Sequence, residues 1–184
     1  MQCPDGFVGG VEYGKCYWFS EEPNSWLTGL LECNKMNASM VSVDTRKEHN
    51  AIVHYVENRT GFPLWLQKNP FFLLFYPSLA YGNESVWLGA TNVLRVSEST
   101  YYFHSADSNS DWKWTHNETS FVDSKFVNWI KKPYQPDNAQ AREYCLEMRS
   151  DFGWMWNDQG CTNKNIFICQ IPANLVSNQY EENA

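Results

Sequence analysis

The sequence lacks the features that mark several classes of protein. No apolar run reaches the roughly 20 residues of a membrane-spanning helix, and the most apolar stretch, Phe71 to Tyr76, lies between two prolines. Positive charge is scarce as well, since 14 Lys and Arg face 21 Asp and Glu, a net charge of −7. A nucleic-acid partner needs a basic surface. We therefore expect neither a membrane span nor a nucleic-acid partner.

Closely spaced cysteine pairs of the CxxC type, which zinc sites commonly use, are also missing. The even number of cysteines instead suits a disulfide framework, although spacing alone leaves the pairing open. Four Asn-x-Ser/Thr sequons accompany them, so we expect a secreted or extracellular glycoprotein. The cysteines are Cys3, Cys16, Cys33, Cys145, Cys161 and Cys169, and the sequons begin at Asn37, Asn58, Asn83 and Asn117.

Apolar and aromatic residues are plentiful, at 43% and 16% of the chain, so one packed domain is expected from 184 residues. Ser25 is a suitable N-cap for a helix to about Asn37. The capping-box pattern Thr45-Arg-Lys-Glu48 predicts a second helix, which ends near Thr60-Gly61. Short runs of strand-forming residues predict strands at 17–19, 41–43, 86–89, 112–114, 144–148, 153–156 and 166–169. Trp87, Trp112, Trp114 and Trp129 are assigned to the core.

Three segments match neither the helix pattern nor the strand pattern. Residues 62–82 are strongly apolar without a clear period, and we expect them to be either additional core or an oligomer contact. Ser97 to Asp111 is polar and rich in serine, which predicts a loop. Residues 173–184 form a polar tail that we expect to fray.

The stretch from Lys132 to Cys161 carries the candidate chemistry. It holds five side chains with oxygen donors on three short segments tied together by cysteines, namely Gln135, Asp137, Glu143, Asn157 and Asp158. Hard cations such as Ca²⁺ take about six to eight oxygen ligands, so five protein donors leave positions open for a ligand. Because carboxylate ligands must be ionised, binding should fail as the pH falls toward about 4–5.

Several ordered motifs resemble the C-type lectin-like domain family. Cys16-Tyr-Trp-Phe19 resembles its first strand, and Ser25-Trp26 with Cys33 resembles the start of its first helix. Trp87-Leu-Gly89 resembles its WIGL core motif. Gln135-Pro-Asp137 resembles its sugar-binding motif, and Trp156-Asn-Asp158 its WND motif.

The resemblance implies an α+β fold, with two helices packed on irregular antiparallel sheets and a long loop that binds calcium and sugar. It covers nearly the whole chain, so residues 1–172 are expected to form one carbohydrate-recognition domain with an insertion at about 62–82. It also implies the disulfides Cys3–Cys16, Cys33–Cys169 and Cys145–Cys161. A second calcium position of some members falls here on Asn138 and Tyr144, so we expect that site to be absent or weak.

For function, the resemblance implies a lectin that uses Ca²⁺ to bind terminal sugars on glycans or microbial surfaces, as in innate immunity. A cis peptide before Pro136 is expected. The same five oxygen residues are the implied metal ligands, and all except Asp158 are also implied sugar contacts. The order Gln-Pro-Asp favours galactose-type over mannose- or fucose-type sugars. No aromatic follows this motif, so Tyr134, Phe152 or Trp154 is the candidate for stacking on the sugar, although the core is the favoured position for Trp154 and Trp156.

Two other functions are compatible with these residues. One is a protein-binding module of the same fold, receptor-like or toxin-like, which needs no sugar. The other is a glycosidase that uses Asp137 and Glu143 as its paired carboxylates. A shared cation would keep both carboxylates ionised and remove the general acid, so we expect no enzyme. Weak single-site binding would benefit from several sites together, and a homo-oligomer built through residues 62–82 is one expectation.

Overall fold

The structure, a computed structural model, describes residues 3–58, 84–97, 100–103, 112–121 and 123–173. The described residues form two α-helices, α1 (Trp26–Lys35) and α2 (Arg46–Asn58). They also form nine strands: β1 (Lys15–Phe19), β2 (Ser39–Met40), β3 (Ser85–Thr91), β4 (Val93–Ser97), β5 (Thr100–Phe103), β6 (Lys113–Trp114), β7 (Cys145–Arg149), β8 (Met155–Gln159) and β9 (Ile166–Pro172). This arrangement confirms the predicted α+β fold.

Seven of these strands form one sheet. Its main order is β1-β9-β3-β7-β8, with β2 paired to β9 and β6 paired to β3. The pairing of β3 with β9 is parallel, and the other pairings are antiparallel. β4 and β5 form a separate two-stranded sheet. β7, which directly follows the segment with Gln135, Asp137 and Glu143, and β8, which contains Asn157 and Asp158, lie together at one edge of the large sheet.

Helix α1 begins as its sequence predicts. The Ser25 side chain accepts a hydrogen bond from the Thr28 N–H (3.3 Å), which satisfies one of the free donors of the first turn. Trp26, Gly29 and Cys33 form its buried face. A Cβ added at Gly29 would lie only 2.9 Å from the Phe167 ring, so glycine lets the helix approach β9 closely. The helix ends at Lys35 rather than Asn37, which has a left-handed φ of 53°.

Helix α2 starts at the predicted capping box. The Glu48 N–H donates to the Thr45 hydroxyl (3.1 Å), and the Glu48 carboxylate accepts from the Asp44 N–H (2.7 Å). Glu48 is only 1% exposed, and its charge is balanced by the Lys15 ammonium at 2.8 Å. This ion pair ties α2 to β1. The structure has the helix through Asn58, and its predicted end at 60–61 lies outside the described residues.

Three predicted boundaries were wrong. The strand expected at 41–43 lies at Ser39–Met40 instead, although Val41 and Val43 are fully buried. The loop expected over 97–111 begins with a strand, because Thr100–Phe103 pairs with Val93–Ser97. The strand expected at 153–156 runs from Met155 to Gln159, which places the Trp-Asn-Asp motif inside it. The apolar segment at 62–82 lies outside the described residues.

The core and the disulfides follow the sequence closely. Trp87, Trp112 and Trp114 are at most 1% exposed, as predicted, and Trp129 is half-buried against the same core. The disulfides are Cys3–Cys16, Cys33–Cys169 and Cys145–Cys161, the three expected pairs. Ala173, expected to start a frayed tail, is instead 2% exposed, and its N–H donates to the Gly14 carbonyl (2.9 Å). The rest of that tail lies outside the described residues.

Candidate functional site

The Gln135-Pro-Asp137 segment is anchored on β8 through its preceding residues. The Ile130 N–H donates to the Trp156 carbonyl (2.9 Å), and the Gln135 N–H donates to the Ile130 carbonyl (3.0 Å). Trp156 directly precedes Asn157 and Asp158 in β8. Two motifs more than 20 residues apart in the sequence therefore meet. The peptide bond between Gln135 and Pro136 is cis, as the resemblance implies.

Asp158 is the centre of the site. It is fully buried in β8, and both oxygens of its carboxylate accept backbone hydrogen bonds. The donors are the N–H groups of Asp137 (3.2 Å) and Asn138 (2.7 Å). The Asp137 N–H also donates to the Gln135 amide oxygen (3.0 Å), which brings that oxygen to the same place. One backbone N–H thus holds oxygens of Gln135 and Asp158 close together.

Asn138 connects Asp158 with Glu143. Its amide oxygen accepts a hydrogen bond from the Glu143 N–H (3.0 Å), while its own N–H contacts Asp158. The Glu143 carboxylate in turn accepts from the Ala139 N–H (3.0 Å). Asn138 has a left-handed φ of 46°, which asparagine tolerates better than most residues, and it is only 8% exposed. No motif in the sequence marks this bracing role, although asparagine suits a buried position with a left-handed φ.

Asn138 and Tyr144, the two positions where a second ion site was expected to be absent or weak, both make contacts within the protein. Asn138 uses its side chain within the loop, and the Tyr144 hydroxyl donates to the Ala141 carbonyl (2.6 Å). The Tyr144 N–H donates to the Gln159 carbonyl (3.2 Å), which ties the loop to the end of β8. The Cys145–Cys161 disulfide closes the same region from the other side.

Asp137, Glu143 and Asp158 form a compact cluster. Each offers one carboxylate oxygen, and these three atoms lie within 4.8 Å of one another. Within the part of the chain that the structure describes, no lysine or arginine forms an ion pair with any of them. Three carboxylates so close together favour either a shared cation or an additional proton.

The electrostatic effect of this crowding is seen in the pKa values. Burial, followed by the neighbouring Asp158 and Asp137 carboxylates, raises the pKa of Glu143 to about 7, although the hydrogen bond from Ala139 opposes this. Burial also raises the pKa of Asp158, against the lowering effect of its backbone donors. The cluster is thus costly to ionise by itself, which is the property expected of carboxylates that hold a cation.

Asn157 occupies a different position from the other predicted ligands. Successive residues of a strand point to opposite faces, and Asn157 pairs with Glu147 across β7 and β8. Its amide nitrogen donates to the Glu147 carboxylate (3.0 Å) and to the Asp158 carbonyl (2.5 Å). The other Glu147 oxygen accepts from Asn165 (2.8 Å). The described hydrogen bonds do not link Asn157 to the carboxylate cluster, and its role as a ligand stays a prediction.

Trp154 does not offer a surface to a sugar. It is only 5% exposed, it belongs to the main core, and its indole N–H donates to Glu57 of α2 (2.9 Å). The expectation that Trp154 stacks on a sugar is corrected on this ground. Of the two alternatives, Phe152 is half-buried beneath the Arg149 guanidinium, which lies 4.9 Å from its ring centre. Tyr134 is 78% exposed and directly precedes Gln135.

Three of the four predicted glycosylation positions lie on the surface. Asn37, Asn58 and Asn117 are exposed, as glycosylation requires, whereas Asn83 lies outside the described residues. Neither described helix combines the length and the apolar character needed to cross a bilayer.

A family model described as "Lectin C-type domain" matches residues 22–171, most of the chain. The chain belongs to the C-type lectin domain family. It is 27% identical over 160 residues to C-type lectin BiL of Bothrops insularis, covering 85% of this chain and 77% of that protein. It is 26% identical to asialoglycoprotein receptor 2 of Mus musculus, covering 95% of this chain but only 44% of the receptor. The carbohydrate-recognition domain of the human scavenger receptor C-type lectin has 26% identity and a TM-score of 0.58, with 93% and 99% of the two chains covered.

Calcium is the ion that this family implies, and the donor set fits it. Ca²⁺ prefers oxygen ligands, accepts carboxylates and amide carbonyls, and tolerates irregular geometry. The structure offers three converging carboxylates and the Gln135 amide oxygen close to Asp158. The described residues thus supply oxygen donors of the required kind on one side of a loop.

Proposed function

We propose that this protein is a calcium-dependent lectin that binds terminal galactose-type sugars of glycans. The observation that carries the proposal is the convergence of Asp137, Glu143 and Asp158, whose ligand atoms lie within 4.8 Å of one another on a braced loop. Gln135, Asp137, Glu143 and Asp158 would hold the ion, and Asn157 is the fifth predicted ligand. When bound, the ion would supply coordination sites for two neighbouring sugar hydroxyls.

The side chains would also bind the sugar directly. A hydroxyl held by a cation donates its proton to a carboxylate and accepts from an amide N–H. Asp137 and Glu143 provide acceptors. Gln135 provides a donor through its side-chain amide nitrogen, because the oxygen of the same amide already accepts a hydrogen bond from the Asp137 N–H. This distribution of donors and acceptors, read in the order Gln-Pro-Asp, supports galactose-type over mannose- or fucose-type sugars.

Tyr134 is the aromatic side chain that we propose to stack on the apolar face of the sugar. It is 78% exposed and next to Gln135, whereas Trp154 is buried. An aromatic contact contributes about 0.5–1.5 kcal/mol beyond its buried area. Tyr134→Ala should therefore weaken sugar binding about twofold to twelvefold, measured by calorimetry at saturating Ca²⁺. Phe152→Ala is the matched control and should leave affinity unchanged; the reverse result would assign the stacking role to Phe152.

Binding without catalysis is part of the proposal. A glycosidase needs one protonated and one ionised carboxyl group, and a cation shared by Asp137 and Glu143 keeps both ionised.

An extracellular location is proposed from the three disulfides and the exposed sequons. A homo-oligomer would raise avidity for repeated sugars, and sedimentation of the full chain tests that expectation.

The experiment that tests the proposal is a glycan array probed with and without EDTA. We expect binding to galactose-terminated glycans in Ca²⁺ and its loss in EDTA. Asp158→Asn should abolish this binding, whereas Asp123→Asn, which removes an exposed carboxylate elsewhere, should not. Binding that persists in EDTA, or in the Asp158→Asn protein, would contradict the proposed site. Tight chelator-insensitive binding to one protein would instead favour the protein-binding alternative.

A further inference from the structure

The loop that carries the proposed ligands also carries three exposed basic residues, Lys131, Lys132 and Arg142. The chain as a whole is acidic, with a net charge of −7. A concentration of positive charge within twelve consecutive residues therefore runs against the general composition.

A tight turn places two of them beside Gln135. Lys131 and Tyr134 pair as an antiparallel bridge, and the Gln135 N–H closes the turn on the Ile130 carbonyl (3.0 Å). Directly opposed residues of such a pair project to the same side. Lys131 is therefore expected on the side of Tyr134, the residue that we propose to contact the sugar, and Lys132 lies in the turn between them.

Arg142 approaches the site from the other end of the loop. It directly precedes Glu143, and its carbonyl lies 3.6 Å from the position that a Cβ on Gly160 would occupy. Gly160 follows β8, two residues after Asp158. The three basic residues therefore occur at both ends of the segment that supplies Asp137 and Glu143.

These cations have no carboxylate partner within the described parts of the chain. Lys15, Lys35 and Arg149 all form ion pairs at 2.6–2.8 Å, but Lys131, Lys132 and Arg142 do not. They also leave Asp137, Glu143 and Asp158 unpaired, although they are close in sequence. The carboxylates are thus available for an ion while the basic groups remain directed to solvent.

The charges decide what kind of ligand suits this arrangement. Three basic groups balance the three carboxylates, so a bound Ca²⁺ leaves the site with an excess of positive charge. We propose that the preferred ligand is a galactose-type sugar with an anionic substituent, a sulfate or a carboxylate. Its neighbouring hydroxyls would face the ion and its anionic group would face Lys131, Lys132 and Arg142. Arginine suits either anion because its planar guanidinium donates two parallel hydrogen bonds. This inference rests on the proposed lectin function.

The test compares methyl galactoside, its 3-O-sulfate and methyl galacturonide by calorimetry at saturating Ca²⁺. We expect at least one anionic sugar to bind about twofold to fivefold more tightly than the neutral one, the gain that an exposed charge pair gives. Added salt should reduce that gain. The sulfate and the uronide form separate arms, so the experiment also shows which anion is preferred.

The matched variants locate the effect. Lys131→Gln, Lys132→Gln and Arg142→Gln combined should remove the preference for the anionic sugars. Lys47→Gln, Lys125→Gln and Lys164→Gln combined make the same charge change at exposed positions outside this loop and should keep the preference. Equal affinity for neutral and anionic sugars, or a preference unchanged in the first triple variant, would overturn the inference alone. If the wild-type protein binds none of the three sugars in the presence of Ca²⁺, the lectin proposal is overturned and this inference with it.

Discussion

Glu143 shows how its surroundings change the chemistry of one residue. The pKa of its carboxyl is raised to about 7, because it is partly buried and lies beside Asp158 and Asp137. From ordinary carboxylate pKa values, the sequence predicted loss of binding only toward about pH 4–5. Packing therefore moves the expected pH dependence up to the neutral range. In the ion-free protein, folding stability changes with pH in the opposite direction to calcium binding. Folded Glu143 binds a proton that the unfolded chain releases, so its contribution to stability falls as pH rises from about 4.5 to about 7.

The first prediction concerns calcium affinity and pH. Binding requires the ionised carboxylate, so below about pH 7 each unit of pH should weaken calcium affinity about tenfold until other groups titrate. Calorimetry at several pH values in two buffers would also detect the released proton. An affinity that stays constant from about pH 7 to about pH 5 would contradict a role for Glu143 as a ligand.

A second prediction concerns Asn138, whose amide oxygen fixes the Glu143 N–H. Asn138→Gly permits the left-handed φ of 46° but removes this hydrogen bond. A lost hydrogen bond of about 1 kcal/mol should lower calcium affinity about fivefold, measured by calorimetry. Asn138→Ala should lower it further, because alanine also disfavours that φ. Wild-type affinity in Asn138→Gly would show that the contact does not organise the site.

At the scale of elements, the helices were the best-predicted parts. Ser25 and Thr45 cap the two helices through hydrogen bonds from residues three positions later, so these signals are local in sequence. The short strand β2 was misplaced because its pairing partner in β9 is about 130 residues away. No local pattern could identify which residues of 39–43 would meet that partner. β5 was missed for a different reason: its partner β4 is adjacent in the chain, but the polar, serine-rich composition of 97–111 is typical of a loop.

The close approach of β2 and β3 gives a third prediction, made at this scale. A Cβ added at Gly89 would lie 2.6 Å from the Met40 carbonyl oxygen and 2.8 Å from its carbon. Because these are backbone atoms, Gly89→Ala should destabilise the protein by about 1–3 kcal/mol, measured by urea unfolding. Gly160→Ala is the control, since its nearest contact would be an ordinary 3.6 Å. Equal stability of the two variants would show that β2 and β3 can move apart to accept the added methyl group without lowering the free energy of unfolding.

At the scale of the whole molecule, the disulfides and the core should keep the fold intact without an ion. Cys33–Cys169 joins α1 to β9, and Cys145–Cys161 spans the two strands beside the site. The loop braces of Asn138 and Tyr144 also consist of protein contacts alone. EDTA should thus remove sugar binding while circular dichroism still reports a folded protein.

The fourth prediction concerns the effect of bound Ca²⁺ on the stability of the fold. A ligand that binds only the folded state at about 100 times its Kd adds about 2.7 kcal/mol to the free energy of unfolding. Ca²⁺ should therefore raise the Tm of the wild type and of Asp123→Asn. It should leave the Tm of Asp158→Asn unchanged, because Asp158 is the buried centre of the site. An equal shift in all three proteins would place the ion elsewhere.

The sequence by itself determined the two helix starts and, through the family resemblance, the fold class and the disulfide pairs. These follow from motifs whose order and local spacing are directly visible. Only the tertiary structure decided which aromatic side chain is exposed to a ligand, because Trp154 is buried against α2 while Tyr134 remains exposed. It also decided that Asn138 braces Glu143 and that Asn157 contacts Glu147. The reason is physical: burial, charge crowding and strand pairing depend on neighbours that are distant along the chain.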